Sequence, residues 1–202
     1  SEDTQLLQAA IESIRKQENV IDIHHAGTDM RFLTALLSTQ LGTWILTGSE
    51  RMKERPIGEL VNALKQLGAD IEFLEKENYP PLKITGLNLN GGEININSSV
   101  SSQFVSALLL ISPKLKQGLT LHLQGSIVSE PYITMTIELL KSCGVEVKRT
   151  NNTITVQPKI NTNEKVKKYF IESDWSSASY WYSICALCKG SKIQLKSYHE
   201  KS

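Results

Sequence analysis

Apolar positions along the 202-residue chain change period repeatedly, and the changes mark out elements. Ile57, Leu60, Val61, Leu64 and Leu67 recur at three- and four-residue steps, which predicts one buried stripe of a helix over Ile57 to Leu67. Leu119, Leu121 and Leu123 alternate with polar residues, as do Ile71 and Phe73, the signature of strands with one buried face. Pro56 suits a first helical position, where its missing N–H costs nothing, and Gly68 and Gly144 suit the left-handed residue that closes a helix. Residues 1–16 predict one more helix, with Leu7, Ile11 and Ile14 on its buried stripe.

These elements follow one grammar twice. A strand at Val20 to Ile23, a polar turn, a helix at Met30 to Leu41 and a strand at Thr43 to Thr47 lead to a loop ending in Arg55-Pro56. The helix to Leu67 and strands at Asp70 to Leu74 and Leu82 to Thr85 complete the unit. The same order runs from Glu93 to Gln157, with Gly125 placed 77 residues after Gly48, Pro131 75 after Pro56 and Gly144 76 after Gly68. A third copy opens with a strand at Lys168 to Glu172, a helix at Ala178 to Lys189 and a strand at Lys192 to Leu195. Each complete unit reads β-α-β-α-β-β, which predicts an α/β (α+β) layer architecture with the helices of successive units packed together. The expected organisation is a single domain fragment: 1–19 the end of a preceding unit, 20–86 one unit, 91–158 a second, and 168–202 the start of a third.

Composition narrows the function classes. A formal charge of +1 argues against a general nucleic-acid partner, and no apolar run reaches the roughly 20 residues that span a bilayer. The N-terminus lacks the basic and apolar regions of a signal peptide, so a cytoplasmic location is expected. Three cysteines make no disulfide framework, and Cys185-Ala186-Leu187-Cys188, inside an apolar run, reads as buried free thiols. His24 and His25, adjacent at a strand end, point in opposite directions and match no metal-ligand spacing. No metal and no cofactor are expected.

Candidate chemistry lies in the polar turns. Gly27-Thr28, Ser101-Ser102-Gln103 and Ser176-Ser177 all stand at predicted helix starts, where free N–H groups and the positive end of the helix dipole suit an anion. Ordinary N-capping explains any one of them, but their repetition suggests helix starts converging on one charged ligand. Arg51, Lys53 and Arg55 sit just before a helix, where the dipole disfavours cations, so a phosphate or carboxylate ligand gives them a reason to be there.

Seven ordered motifs tie these turns to a known family. They are Ala26-Gly27-Thr28-x-Met30-Arg31, Leu46-Thr47-Gly48, Arg51-Met52-Lys53-Glu54-Arg55-Pro56-Ile57-Gly58, Glu77-Asn78-Tyr79-Pro80-Pro81-Leu82, Ser99-Val100-Ser101-Ser102-Gln103-Phe104, Val128-Ser129-x-Pro131-Tyr132-Ile133 and Asp174-x-Ser176-Ser177-Ala178-Ser179-Tyr180. In this the chain resembles the first half of the 5-enolpyruvylshikimate-3-phosphate synthases (EPSP synthases) of the shikimate pathway of aromatic amino acid and chorismate biosynthesis. The resemblance implies an inside-out α/β barrel fold of six such units in two facing domains. It implies transfer of the enolpyruvyl group of phosphoenolpyruvate to the 5-hydroxyl of shikimate 3-phosphate, with release of phosphate. Carried over by position, Ser101, Ser102, Gln103, Ser129 and Tyr132 would bind shikimate 3-phosphate, and Gly27, Arg55 and Gln103 phosphoenolpyruvate. No catalytic residue is assigned on this chain. Its Gly-Ser-Lys-Ser motif and second domain are not in the sequence, so the chain is expected to be an inactive fragment of a monomeric enzyme whose other domain is its partner. The family commonly carries Asn at the place of His25, a small residue at Asp29 and Pro at Phe32; Asp29 is expected to point away from the ligands or to pair with Arg31. Two other readings are an enolpyruvyl transferase acting on UDP-N-acetylglucosamine and a non-catalytic substrate-binding half.

Overall fold

A parallel strand pair needs a crossover, and this chain makes the same one twice. In a computed structural model that describes residues 2–97, 99, 101–159 and 168–198, helix α1 (Glu2–Arg15) precedes strand β1 (Val20–Asp22). Helix α2 (Gly27–Ser38) then carries the chain to β2 (Gly42–Thr47), which lies parallel to β1. After the short α3 (Glu50–Lys53) and α4 (Gly58–Gln66), β3 (Asp70–Phe73) and β4 (Leu82–Gly86) add antiparallel, giving the sheet order β1-β2-β4-β3. The second unit repeats this: β5 (Gly92–Asn97), α5 (Ser102–Ile111), β6 (Leu119–Gln124), α6 (Glu130–Ser142), β7 (Val147–Thr150) and β8 (Thr153–Val156), in the order β5-β6-β8-β7. The mixed α/β class is as the periodicities predict.

Neither unit closes a core alone. Helices α2 and α5 pack on one another, α5 also packs on α6, and α4 packs on β5, so one continuous apolar cluster runs through both sheets. Helix α5 is buried almost all round, with Val105, Leu108 and Leu109 inaccessible to solvent. Its buried Ser106 hydroxyl pairs with that of Thr136 on α6 at 2.8 Å, which satisfies polar groups that would otherwise oppose the packing. Where β4 meets the end of α2, space allows only glycine: a Cβ on Gly86 would lie 1.6 Å from the Gln40 carbonyl oxygen.

Two local readings are refined and one holds. Helix α4 starts at Gly58 with Ile57 as its N-cap, so Pro56 stands just outside; the Ile57 N–H is taken by the Asn78 carbonyl at 2.9 Å. Gly68 and Gly144 do take positive φ, 92° and 76°, directly after their helices. On α1 the side chains facing the core are Leu6, Leu7, Ala10 and Ile14, whereas Ile11 faces solvent.

The chain divides into two compact units, 1–161 and 162–202. In the second, α7 (Trp175–Leu187) forms, but Lys168 to Glu172 and Lys192 to Leu195 are not strands. Among the described residues of that unit no strand exists to pair with them, and an unpaired strand leaves its backbone groups unsatisfied. Cys185 and Cys188 are free thiols but not buried, because within this unit the apolar α7 has no covering layer. No helix is long and apolar enough to cross a membrane among the described residues.

Candidate functional site

The site is built from two helix starts and the loops that lean on them. Asp22 accepts the His24 N–H at 2.8 Å and His24 takes φ 44°, a tight turn that feeds Gly27 into the first turn of α2. Gly27 is there because guanidinium groups crowd it: a Cβ would meet Arg55 Nη1 at 2.1 Å and Arg31 Nη1 at 2.7 Å. Arg31, one turn along α2, donates to the Gly27 carbonyl and lies 6.0 Å from the centre of the Phe104 ring.

The three cations of the 51–55 segment part company. Lys53 turns to Glu75 at 3.0 Å and Glu50 at 3.2 Å, and these partners raise its pKa. Arg51 and Arg55, with His25 and Met52, line a cavity of about 340 Å³. No ion pair of Arg31, Arg51 or Arg55 occurs among the described residues. Burial, and then the neighbouring charge of Arg55, lower the Arg31 pKa to about 10. Like charges held together without a carboxylate are a configuration that an anion relieves.

A second cavity, about 450 Å³, opens at the start of α5. Thr28, Ser101, Ser102, Gln103, Val128, Ser129 and Tyr132 line it, so all five residues expected at shikimate 3-phosphate share one wall. Ser101 caps α5, accepting the Gln103 N–H at 3.2 Å, which is the ordinary structural role for such a residue. Ser129 precedes α6 in the left-handed region, φ 56°, and its hydroxyl caps nothing there. Tyr132, on the first turn of α6, leaves half its surface open. The two helix starts are joined by one bond, from Gln103 Nε2 to Thr28 Oγ1 at 3.1 Å. Gly27 and Arg55 thus meet at one helix start, and Gln103 reaches from the other.

Of the two expectations for Asp29, the pairing with Arg31 is not found: the residue is 5% exposed, and its Oδ2 has no hydrogen-bond partner among the described residues. Burial, and secondarily the charge of Asp3, push its pKa up to about 6. The Arg31 guanidinium is held elsewhere, by the Gly27 carbonyl. At the third turn, Asp174 fills its own helix start, accepting from Ser176 N at 2.9 Å and Ser177 N at 3.0 Å. The Ser177 hydroxyl, donating to Asp174 at 2.7 Å, and these backbone bonds lower the Asp174 pKa, so the Ser176 and Ser177 amides are already taken.

Comparison with known proteins now decides the family. A family model for EPSP synthase (3-phosphoshikimate 1-carboxyvinyltransferase) matches residues 1–202. The chain belongs to the EPSP synthase family. It is 48% identical over 195 residues to a 3-phosphoshikimate 1-carboxyvinyltransferase of Bacteroides fragilis (strain YCH46), covering 96% of this chain and 46% of that relative. The namesake of Aliivibrio fischeri (strain MJ11) is 44% identical over 178 residues, 88% of this chain and 42% of its own. The chain therefore spans about half the length of these relatives. Among solved structures, an EPSP synthase of Acinetobacter baumannii superposes with a TM-score of 0.61 at 25% identity, covering 70% of this chain and 31% of its own.

Within this EPSP synthase half, the lining residues that sequence reasoning did not assign are Thr28, Val128, His25, Arg51 and Met52. Thr28 had a signal: it is the second residue of α2, as Gln103 is of α5, so the repeat itself pairs them. Arg51 had one as well, its place as a cation before a helix, whereas His25 had none, because its neighbourhood depends on how one loop packs on another.

Proposed function

We propose that the protein to which this chain belongs transfers the enolpyruvyl group of phosphoenolpyruvate to the 5-hydroxyl of shikimate 3-phosphate. The 5-hydroxyl gives up its proton as its oxygen bonds to C2 of phosphoenolpyruvate and the methylene takes one up; the carbon–oxygen bond to phosphate then breaks as one proton of the new methyl group is lost, restoring the double bond and releasing phosphate. This chain carries the larger part of the shikimate 3-phosphate subsite and one edge of the phosphoenolpyruvate subsite. Ser101, Ser102 and Ser129 offer hydroxyls and a helix start to the phosphate of shikimate 3-phosphate, and Tyr132 packs on the ring. Gln103 stands between the substrates. The backbone of Gly27 and the guanidinium of Arg55 take phosphoenolpyruvate. As the phosphate leaves, charge grows on its oxygens, and a guanidinium fixed beside it stabilises that charge without reorganising. The rest of the protein, a second domain closing over these cavities, supplies the groups that move protons. We place the enzyme in the cytoplasm, as a monomer.

The observation that carries this reading is the Gln103 to Thr28 bond, which sets the two anion-suited helix starts side by side. The test is Arg55→Ala in the full-length protein. The KM for phosphoenolpyruvate should rise on the order of 100-fold, the scale of a lost charge-assisted contact, with shikimate 3-phosphate affected less than about two-fold. Equal losses for both substrates would overturn the assignment.

A further inference from the structure

Arg55 follows a helix of only four residues, too short to hold its own shape, so something outside it must fix where the guanidinium goes. A relay of hydrogen bonds does so. The Arg55 N–H donates to the Met52 carbonyl at 3.0 Å, and the Met52 N–H is shared between the Ser49 carbonyl at 2.8 Å and Ser49 Oγ at 3.3 Å. Ser49 Oγ lies 2.7 Å from His25 Nδ1, and the Ser49 N–H donates to the His24 carbonyl at 3.1 Å. The approach is close enough that a Cβ on Gly48 would sit 2.7 Å from that carbonyl oxygen. The turn receiving these bonds is itself fixed by Asp22, and it leads in two residues to Gly27, the residue against which Arg55 rests.

We propose that His25 is a positioning residue for Arg55: through Ser49 it clamps the 48–55 loop to the turn that opens α2, and so holds the guanidinium over Gly27. Past Ser49 the loop is anchored by Met52, buried in the core, and by Lys53 on Glu75; at Ser49 itself the backbone bond to His24 is one point of attachment to the turn and the imidazole is the second. Ser49 is its only hydrogen-bond partner among the described residues. His25 also lines the cavity beside Arg51 and Arg55, so the rival role is direct contact with the anion. The two roles differ in one respect: positioning runs through Ser49 and direct contact does not.

The proposal rests on Arg55 binding phosphoenolpyruvate, and the experiment keeps the two separable. In the full-length protein, His25→Ala should raise the KM for phosphoenolpyruvate about five-fold, the scale of one hydrogen bond, and leave that for shikimate 3-phosphate unchanged. Ser49→Ala should do at least as much, and the double variant should be no worse than Ser49→Ala alone. His25→Asn, whose amide occupies the place of Nδ1, should restore the wild-type KM, whereas His25→Gln, which mimics the far ring nitrogen, should not. Effects of His25→Ala and Ser49→Ala that multiply would overturn the proposal in favour of direct contact, as would an unchanged KM for phosphoenolpyruvate in His25→Ala. Equal rises for both substrates would reduce His25 to general structural support. If Arg55→Ala itself spares phosphoenolpyruvate, the parent reading fails instead.

Discussion

Asp29 makes folding depend on pH in a direction opposite to most carboxylates. It occupies the first turn of α2, where the helix dipole favours a negative charge by about 0.3–1 kcal/mol. Burial nevertheless wins, because the pKa rises from 3.8 to about 6. At about 1.4 kcal/mol per pH interval of one, that rise amounts to about 3 kcal/mol. Below pH 3.8 the carboxyl is protonated in both folded and unfolded chains and costs nothing. Between 3.8 and about 6 the folded chain binds more protons than the unfolded one, so stability falls as pH rises and levels off above that window. Replacing Asp29 with Ala removes the dependence. Relative to wild type, Asp29→Ala should gain little at pH 4.0, about 0.5 kcal/mol from this source, and about 3 kcal/mol at pH 7.5. For a chain of this size the difference corresponds to about 5–10 °C in melting temperature. Thermal or urea unfolding of both proteins at the two pH values is the assay. Whatever packing the substitution loses is common to both pH values and cancels in the comparison. An Ala-minus-wild-type difference that is the same at pH 4.0 and 7.5 would refute the argument. So would a loss that deepens at pH 7.5, which would mean that the dipole outweighs burial.

Two further outcomes test the fold and the cavities separately. Gly86→Ala should destabilise the chain by more than about 3 kcal/mol in urea unfolding, because the obstacle at 1.6 Å is the Gln40 backbone carbonyl and not a side chain that can swing away. Titrating shikimate 3-phosphate into the isolated chain should shift the amide resonances of Ser101, Ser102 and Gln103 while no phosphate is released from added phosphoenolpyruvate; silent amides would favour a binding-dead half.

The repeat was legible because it is written in two periodicities that local sequence carries. Leu119, Leu121 and Leu123 announce a strand wherever they occur, and Gly68 and Gly144 announce the ends of helices. The lining of the larger cavity was legible too, since Ser101, Ser102 and Gln103 are one turn and Ser129 and Tyr132 another. What could not be read is how side chains choose between neighbours distant in sequence. Lys53 and Arg55 look alike on paper, yet Glu75 captures the first and leaves the second free for Gly27. Asp29 and Arg31 look like a pair two residues apart, but on a helix that spacing places them on different faces. The missing strands of the third unit fail for a different reason. Ile193 and Leu195 do alternate with polar residues, but a strand exists only when a second strand receives it.

The first turn of α2 concentrates the features that ordinary folding avoids. An unbonded carboxylate oxygen, an unbonded guanidinium nitrogen on Arg31 and two guanidiniums of like charge all lie within one turn of Gly27. Each costs stability, and each answers differently to an anion placed beside Arg55. The arginine pair gains, because the anion supplies the opposite charge that no carboxylate of the described residues provides. Asp29 loses if ionised, because a second negative charge nearby adds to a burial penalty already large enough to lift its pKa to about 6. The two responses are not equal in reach. Arg31 titrates at about 10 and stays charged throughout the neutral range, so the attraction is constant there. The opposing term from Asp29 switches on only as pH climbs through about 6. If this turn takes the phosphorylated ligand proposed for it, binding should weaken as pH climbs through about 6, and Asp29→Ala, compared with wild type by ligand titration at pH 5 and 7.5, should remove that loss; a loss of the same size in both proteins would refute the argument.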